Sequence, residues 1–162
     1  MKLLPGEEAK MVIHHHYTPF VYTMFKAVLG AVPFFVILYF FKGILSLGWF
    51  VLANIILFII FVLLVIYLAL IYWLDKMIIT NKRVIYEDWK YLTVRDDAAA
   101  FLNDISDIQT EEKGFLSNFK IFDYGMVRID TPSSYITIEF ADAPNPEFIR
   151  MEVNRIKNET DD

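Results

Sequence analysis

Cysteine is absent from this chain. That removes disulfides, thiol nucleophiles and Cys-ligated zinc from consideration, and it leaves the redox compartment open. Histidine is scarce: three residues, all adjacent, at His14, His15 and His16. The sequence therefore offers no Ser-His-Asp arrangement, and it contains no glycine-rich phosphate loop or metalloprotease helix motif. A surplus of positive charge is lacking too. The net charge is −5, and from Asp75 onward 11 Lys/Arg face 18 Asp/Glu. Domains that hold nucleic acid, or that hold anionic lipid by charge alone, are usually basic. No nucleic-acid partner is expected.

Charge of either sign disappears between Trp49 and Trp73, 25 residues in which Asn54 is the one strongly polar side chain. About 20 apolar residues suffice to cross a bilayer, and the remaining chain is too small to bury such a helix as a soluble core. Phe20 to Phe41 reads as a first span. Lys26 lies within it and can run its stem along the helix to the interface, and Pro33 is tolerated in a membrane helix. The polar lead with Glu7 and Glu8, and the lack of a small-residue cleavage pattern, do not fit a signal peptide. The expected organisation is a cytoplasmic or interfacial segment over 1–19, a transmembrane hairpin over 20–74 with spans at about 23–41 and 49–73, a β domain over 75–157 and a polar tail over 158–162. The link Lys42–Gly48 is short enough to force antiparallel spans, so both chain ends share one side. Lys2, Lys10 and Lys26 precede the hairpin and Lys76, Lys82 and Arg83 follow it, with Lys42 almost alone between the spans. The positive-inside rule then makes this a multi-pass inner-membrane protein with both termini cytoplasmic. His14, His15, His16, Tyr17, Lys26, Trp49 and Trp73 are the expected interfacial anchors. Three adjacent histidines in an extended segment point in alternate directions, which does not favour one metal site. Asn54 is expected to bond to the partner helix or to sit near the interface.

After Lys76 the pattern turns to short alternating runs. Met77–Thr80 and Arg83–Tyr86 read as strands around Asn81-Lys82, and Tyr91–Arg95 as a third. Met126–Thr131 alternates, with Val127, Ile129 and Thr131 on one face. Ile136, Ile138 and Phe140 do the same after the Pro132-Ser133-Ser134 turn. Over 145–157 the period becomes helical: Asn145 caps, Pro146 opens the first turn, and Ile149, Val153 and Ile156 form one stripe. Short strands followed by one amphipathic helix predict an antiparallel barrel or sandwich capped by that helix.

Several short motifs occur in an order that resembles the membrane-anchored bacterial pleckstrin-homology (PH) domain proteins. They are Pro5-Gly6-Glu7, the His14–His16 stretch, two apolar spans, and Thr80-Asn81-Lys82-Arg83 running into Val84-Ile85. Leu102-Asn-Asp-Ile-Ser-Asp-Ile108 is similar to a Leu-x-x-Ile-x-x-Ile strand of that family, Gly125–Thr131 to its Gly-x-Val-x-Ile-x-Thr strand, and Asn145-Pro146-Glu147 to the start of its closing helix. The resemblance covers nearly the whole chain. It implies an α+β membrane protein with a seven-stranded PH-like barrel, and it implies no enzymatic activity and no cofactor. Glu87-Asp88-Trp89-Lys90 stands where the family tends to have a glycine turn, and Asp96–Ala100 replaces a more basic stretch. Both argue against a basic headgroup pocket, so phosphoinositide binding is not expected; fold alone would not supply it.

Candidate contact residues remain. Phe115, Leu116 and Phe119 in an apolar loop, and Phe148 and Met151 off the helix stripe, could meet a partner or the membrane; filling of the core is the plainer reading. Asp96, Asp97, Asp104 and Asp107 lack the ligand spacing of a calcium loop and read as a solvated face. The expected function is a non-catalytic, membrane-anchored binding or scaffold module acting through self-association or a membrane protein partner. The alternatives are a lipid or small-ligand sensor and an accessory subunit of a membrane enzyme or transporter.

Overall fold

The computed structural model describes residues 3–112, 123–132 and 137–161. They fall into two units, Pro19–Leu70 and a second made of Met1–Thr18 together with Ile71–Asp162. The first unit is almost wholly apolar helix. Helix α1 spans Tyr17–Phe40 and runs on through Pro33, and α2 spans Leu47–Leu74. Each is long and apolar enough to cross a membrane. Small residues Ala27, Gly30 and Ala31 of α1 line an apolar groove with Leu57 and Ile60 of α2. The Asn54 side chain donates to the Phe50 carbonyl of its own helix at 2.9 Å, where the sequence suggested a bond to the other helix or a place near the interface. An amide four residues along a helix reaches that carbonyl without any partner.

The second unit is a two-sheet sandwich. In chain order its strands are β1 (Ala9–His14), β2 (Lys76–Thr80), β3 (Arg83–Tyr91), β4 (Val94–Phe101), β5 (Asp107–Glu112), β6 (Tyr124–Asp130) and β7 (Thr137–Pro144), closed by α3 (Pro146–Asp161). One sheet has the order β1-β2-β3-β4 and the other β5-β6-β7, with every pairing antiparallel. Met77, Ile79, Val84, Val127, Ile129, Ile138 and Phe140 point between the sheets by their period-two alternation, and Ile149, Val153 and Ile156 of α3 complete the core. Asn145 caps α3 as its position suggested, its side-chain oxygen accepting from Phe148 N–H at 3.0 Å. Gly125 permits a close approach: a Cβ there would lie 2.0 Å from the Glu111 carbonyl oxygen and 2.9 Å from Pro146.

Several expectations are corrected. Residues 9–14, assigned to a separate interfacial segment, are a strand of the sandwich, with His14 opposite Lys76 and Met11 opposite Ile79. The β domain therefore does not begin at residue 75: the two apolar helices are inserted between its first and second strands. Tyr91–Arg95 is not a strand but the end of the β3–β4 hairpin, whose turn is Leu92-Thr93, and Glu87–Lys90 continues β3. Leu102–Ile108 is not a strand either. A 3-10 turn covers Leu102–Asp104 before β5 starts at Asp107, and Leu102, Ile105 and Ile108 are all buried. Their spacing of three suits a tight turn better than a strand, which would place neighbours three apart on opposite faces. Helix α3 also continues through Asn158, where a frayed tail was expected.

The insertion makes a direct prediction. The fragment 75–162 lacks β1, leaves the β2 edge unpaired and is expected to aggregate. The same fragment preceded by residues 3–16 through a short Gly/Ser linker is expected to be soluble and to melt cooperatively. Equal melting of both, followed by circular dichroism, would show that β1 is dispensable.

Candidate functional site

Two clusters tie the N-terminal segment into the sandwich, one at each end of β1. At the far end, Gly6 adopts a left-handed φ of +70°, which turns the chain back so that Glu7 points inward. The Glu7 side chain is fully buried and accepts a forked pair of bonds from Arg83, Nε to Oε1 at 2.8 Å and the second guanidinium nitrogen to Oε2 at 3.1 Å. The Thr80 hydroxyl donates to the same carboxylate at 2.8 Å, and the Leu4 N–H donates to it as well. Asn81 exchanges bonds with the Glu8 backbone, and Lys82 Nζ donates to the Pro5 carbonyl at 2.8 Å. So Pro5-Gly6-Glu7 and Thr80-Asn81-Lys82-Arg83, 73 positions apart at Glu7 and Thr80, form one latch. Burial alone would raise the Glu7 carboxyl. The bonds from Arg83, Leu4 and Thr80 outweigh that and bring it from 4.5 down to about 2.

At the near end, three stretches of chain converge: the exit of β1, the end of α2, and an irregularity in β7. Asp142 has a φ of +52°, and the backbone there turns two carbonyls toward β1. His16 N–H donates to the Asp142 carbonyl at 2.7 Å, and His15 Nδ1 donates to the Ala141 carbonyl at 2.6 Å. His15 Nε2 faces the Asp75 carboxylate at 3.6 Å. The His15 ring stacks on Phe140 at 4.6 Å, and the His16 ring stacks on Tyr124 at 5.5 Å. Burial lowers the His16 ring's proton affinity, against the opposing pull of Asp123 and Asp142. Tyr72, in the last turns of α2, donates its hydroxyl to the His15 carbonyl at 2.6 Å, and Asp75 accepts the Trp89 N–H at 2.6 Å. Burial, with Asp88, Asp75 and Asp142 around it, raises the hydroxyl of Tyr86, whose ring meets Phe140 edge-on. Burial and the neighbouring Asp75 likewise raise the Asp88 carboxyl. This neck ties the exit of β1 to β7 through His15 and His16, and ties Tyr72 and Asp75 to His15 and to Trp89 of β3.

Residues 28–157 match the family described as bacterial PH domain. The chain belongs to that family. Among solved structures, a protein with a pleckstrin-homology domain from Shewanella loihica PV-4 is similar at 16% identity, over 51% of this chain and 70% of that one, with a TM-score of 0.39. No curated protein matches. Strand β1 and the Pro5-Gly6-Glu7 half of the latch lie ahead of the matched residues of this bacterial PH domain protein, so the structure, not the family match, attaches them to the domain.

Of the residues singled out in the sequence, His14 is exposed on the outer side of β1, while His15 and His16 turn into the neck. Tyr17 packs its ring against His16 at 4.4 Å. Lys26 lies over the Tyr22 ring at 4.5 Å, and Trp49 and Trp73 are exposed. Phe148 and Met151 are 46% and 56% exposed on α3, beside the buried stripe. Phe115, Leu116 and Phe119 lie outside the described residues. Among the described residues, no group of three His, Asp or Glu side chains is arranged to hold a metal ion. Sequence reasoning missed the partnership of Glu7 with Arg83 and the roles of Tyr72, Asp75 and Asp142. The first had a signal in the two family-like motifs, Pro5-Gly6-Glu7 and Thr80–Arg83; the others are ordinary residues that only the folded neck brings together.

The latch yields a stability prediction with a definite pH sign. A carboxyl held at about 2 instead of 4.5 contributes stability that is present above 4.5 and is lost as pH falls toward 2. Arg83→Met, which leaves Glu7 buried and unpaired, is expected to cost about 3 kcal/mol or more. Glu7→Gln should be destabilised at neutral pH and should flatten the acid limb of a melting-temperature profile. An unchanged acid limb in Glu7→Gln would remove Glu7 from the linkage.

Proposed function

We propose that this bacterial PH domain protein is a non-catalytic binding and scaffold module, held at the cytoplasmic face of the inner membrane by its two apolar helices and acting through self-association or a protein partner. The observation that carries the reading is the pairing of β1 with β2 across the insertion, His14 opposite Lys76. A domain joined by one flexible linker could sample a wide volume. Here two connections instead of one join the hairpin to the domain, into the adjacent strands β1 and β2, which supports an anchored module. The same adjacency supports a hairpin whose two ends share one side, and the basic residues Lys10, Lys76, Lys82 and Arg83 around it support the cytoplasmic side. Confinement to a membrane raises the local concentration of such platforms and favours weak lateral contacts. Phe148 and Met151, exposed on α3, are the apolar side chains best placed to make them. The acidic balance of the domain speaks against capture of anionic headgroups by charge.

Native mass spectrometry of the full-length protein released from its own membranes tests the assembly. Integer multiples of the chain mass, or a stable complex with another protein, are expected. Retained lipid or ligand mass on a single chain would replace the scaffold with a sensor. Topology has its own test in a chain without native cysteine. Ser46→Cys should react with an impermeant maleimide on intact cells and Asn158→Cys should not; the opposite pattern reverses the assignment.

A further inference from the structure

Strand β3 is longer than the strand it follows. Lys76, the first residue of β2, pairs with Glu87, yet β3 runs on to Tyr91. Because β3 is antiparallel to β2, these extra residues travel back toward the end from which β2 came, which is the end of α2. Four residues beyond Glu87 is about 13 Å at about 3.3 Å each. The base of this extension is fixed in place, since Trp89 N–H donates to Asp75, the residue immediately after α2. The tip that follows is Tyr91-Leu92-Thr93-Val94, with Tyr91 60% and Val94 44% exposed. An exposed Tyr91 and Val94, with a half-buried Leu92 between them, make a hairpin tip that is a poor surface for water and a good one for the headgroup region, where amphipathic rings settle.

We propose that the β3–β4 hairpin tip, Tyr91–Val94, is a third membrane contact, seated in the interfacial layer of the bilayer beside the point where α2 leaves it. The inference rests on the membrane reading above. Its continuity with that reading is physical: if Leu74 ends a span, Asp75 lies at the interface, and the tip is tied to Asp75 through Trp89. The depth is limited by charge. Asp75 and Asp88 sit at the base of the extension, and carboxylates stay on the aqueous side. The two cations flanking the tip are already engaged. Lys90 pairs with Asp96, and Arg95 pairs with Asp97 at 2.8 Å while covering the Trp89 ring at 5.5 Å. The contact is therefore apolar and aromatic, and it does not call for anionic lipid.

The absence of cysteine makes the test clean. Leu92→Cys and Val94→Cys in the full-length protein carry an environment-sensitive fluorophore, in vesicles of phosphatidylcholine alone, with nitroxide lipids labelled either near the headgroup or deep in the acyl chain. Ile60→Cys, in the middle of α2, reports the membrane reading itself. Asp104→Cys, at the opposite end of the sheet from the tip, is the aqueous reference. Blue-shifted emission at Leu92 and Val94, quenched by shallow nitroxide more than by deep nitroxide and far more than at Asp104, is the expected result. Quenching at Leu92 and Val94 no greater than at Asp104, with Ile60 quenched by the deep label, would overturn the proposal and leave the spans standing. A blue shift without nitroxide quenching would place the tip against protein and overturn it too. An Ile60 probe that escapes the deep label would overturn the membrane reading and the proposal with it.

Discussion

His14 and Lys76 face each other across one strand spacing although 61 residues, including two long apolar helices, lie between them. That pairing governs most of what the molecule can be. It makes residues 9–14 the edge of the first sheet, it brings Glu7 within reach of Arg83, and it delivers both ends of the helical insertion to the same corner of the sandwich. A helical hairpin is the kind of insertion a β1–β2 connection can accept. It returns the chain close to where it left, so strand pairing on either side is undisturbed and the loop-closure cost rises only slowly with length.

The two clusters at the ends of β1 divide the work of holding that strand. The latch is electrostatic and buried. A forked Arg–carboxylate pair with an added hydroxyl and a backbone N–H satisfies every polar atom it takes out of water, the condition under which a buried charge is tolerated. The neck is built mainly from rings and backbone carbonyls. His15 and His16 stack on Phe140 and Tyr124 and bond to the left-handed bend at Ala141–Asp142. A bend of that kind in a non-glycine residue is retained when its surroundings hold it, and the two histidines are those surroundings.

Local patterns were read well wherever one face of an element repeats. The stripe Ile149, Val153 and Ile156, the cap at Asn145 and the alternation Val127, Ile129 all stand as their spacing suggested. Readings failed where a segment's role is set by a distant partner. Ala9–His14 is short, half polar and separated from its neighbours in the sheet by two apolar spans, so nothing local marks it as a strand. Leu102–Ile108 is similar to a strand motif of the family, but its apolar recurrence of three belongs to a tight turn. The three histidines attracted attention as possible ligands or anchors, whereas two of them serve as flat rings and donors in the neck.

By itself the sequence determined two apolar runs long enough for a membrane, a β-rich acidic remainder, a closing helix, and an order of motifs that resembles the bacterial PH domain family. The first three follow from composition and period, which act over a few residues and need no partner; the last rests on the resemblance of the motifs. The tertiary structure alone decided that the helices interrupt the domain instead of preceding it, that Pro5-Gly6-Glu7 and Thr80–Arg83 are two halves of one ion-paired latch, and that β3 overshoots β2 toward the end of α2. Each of these depends on strand register, and register is a property of two segments at once: no periodicity within either one contains it.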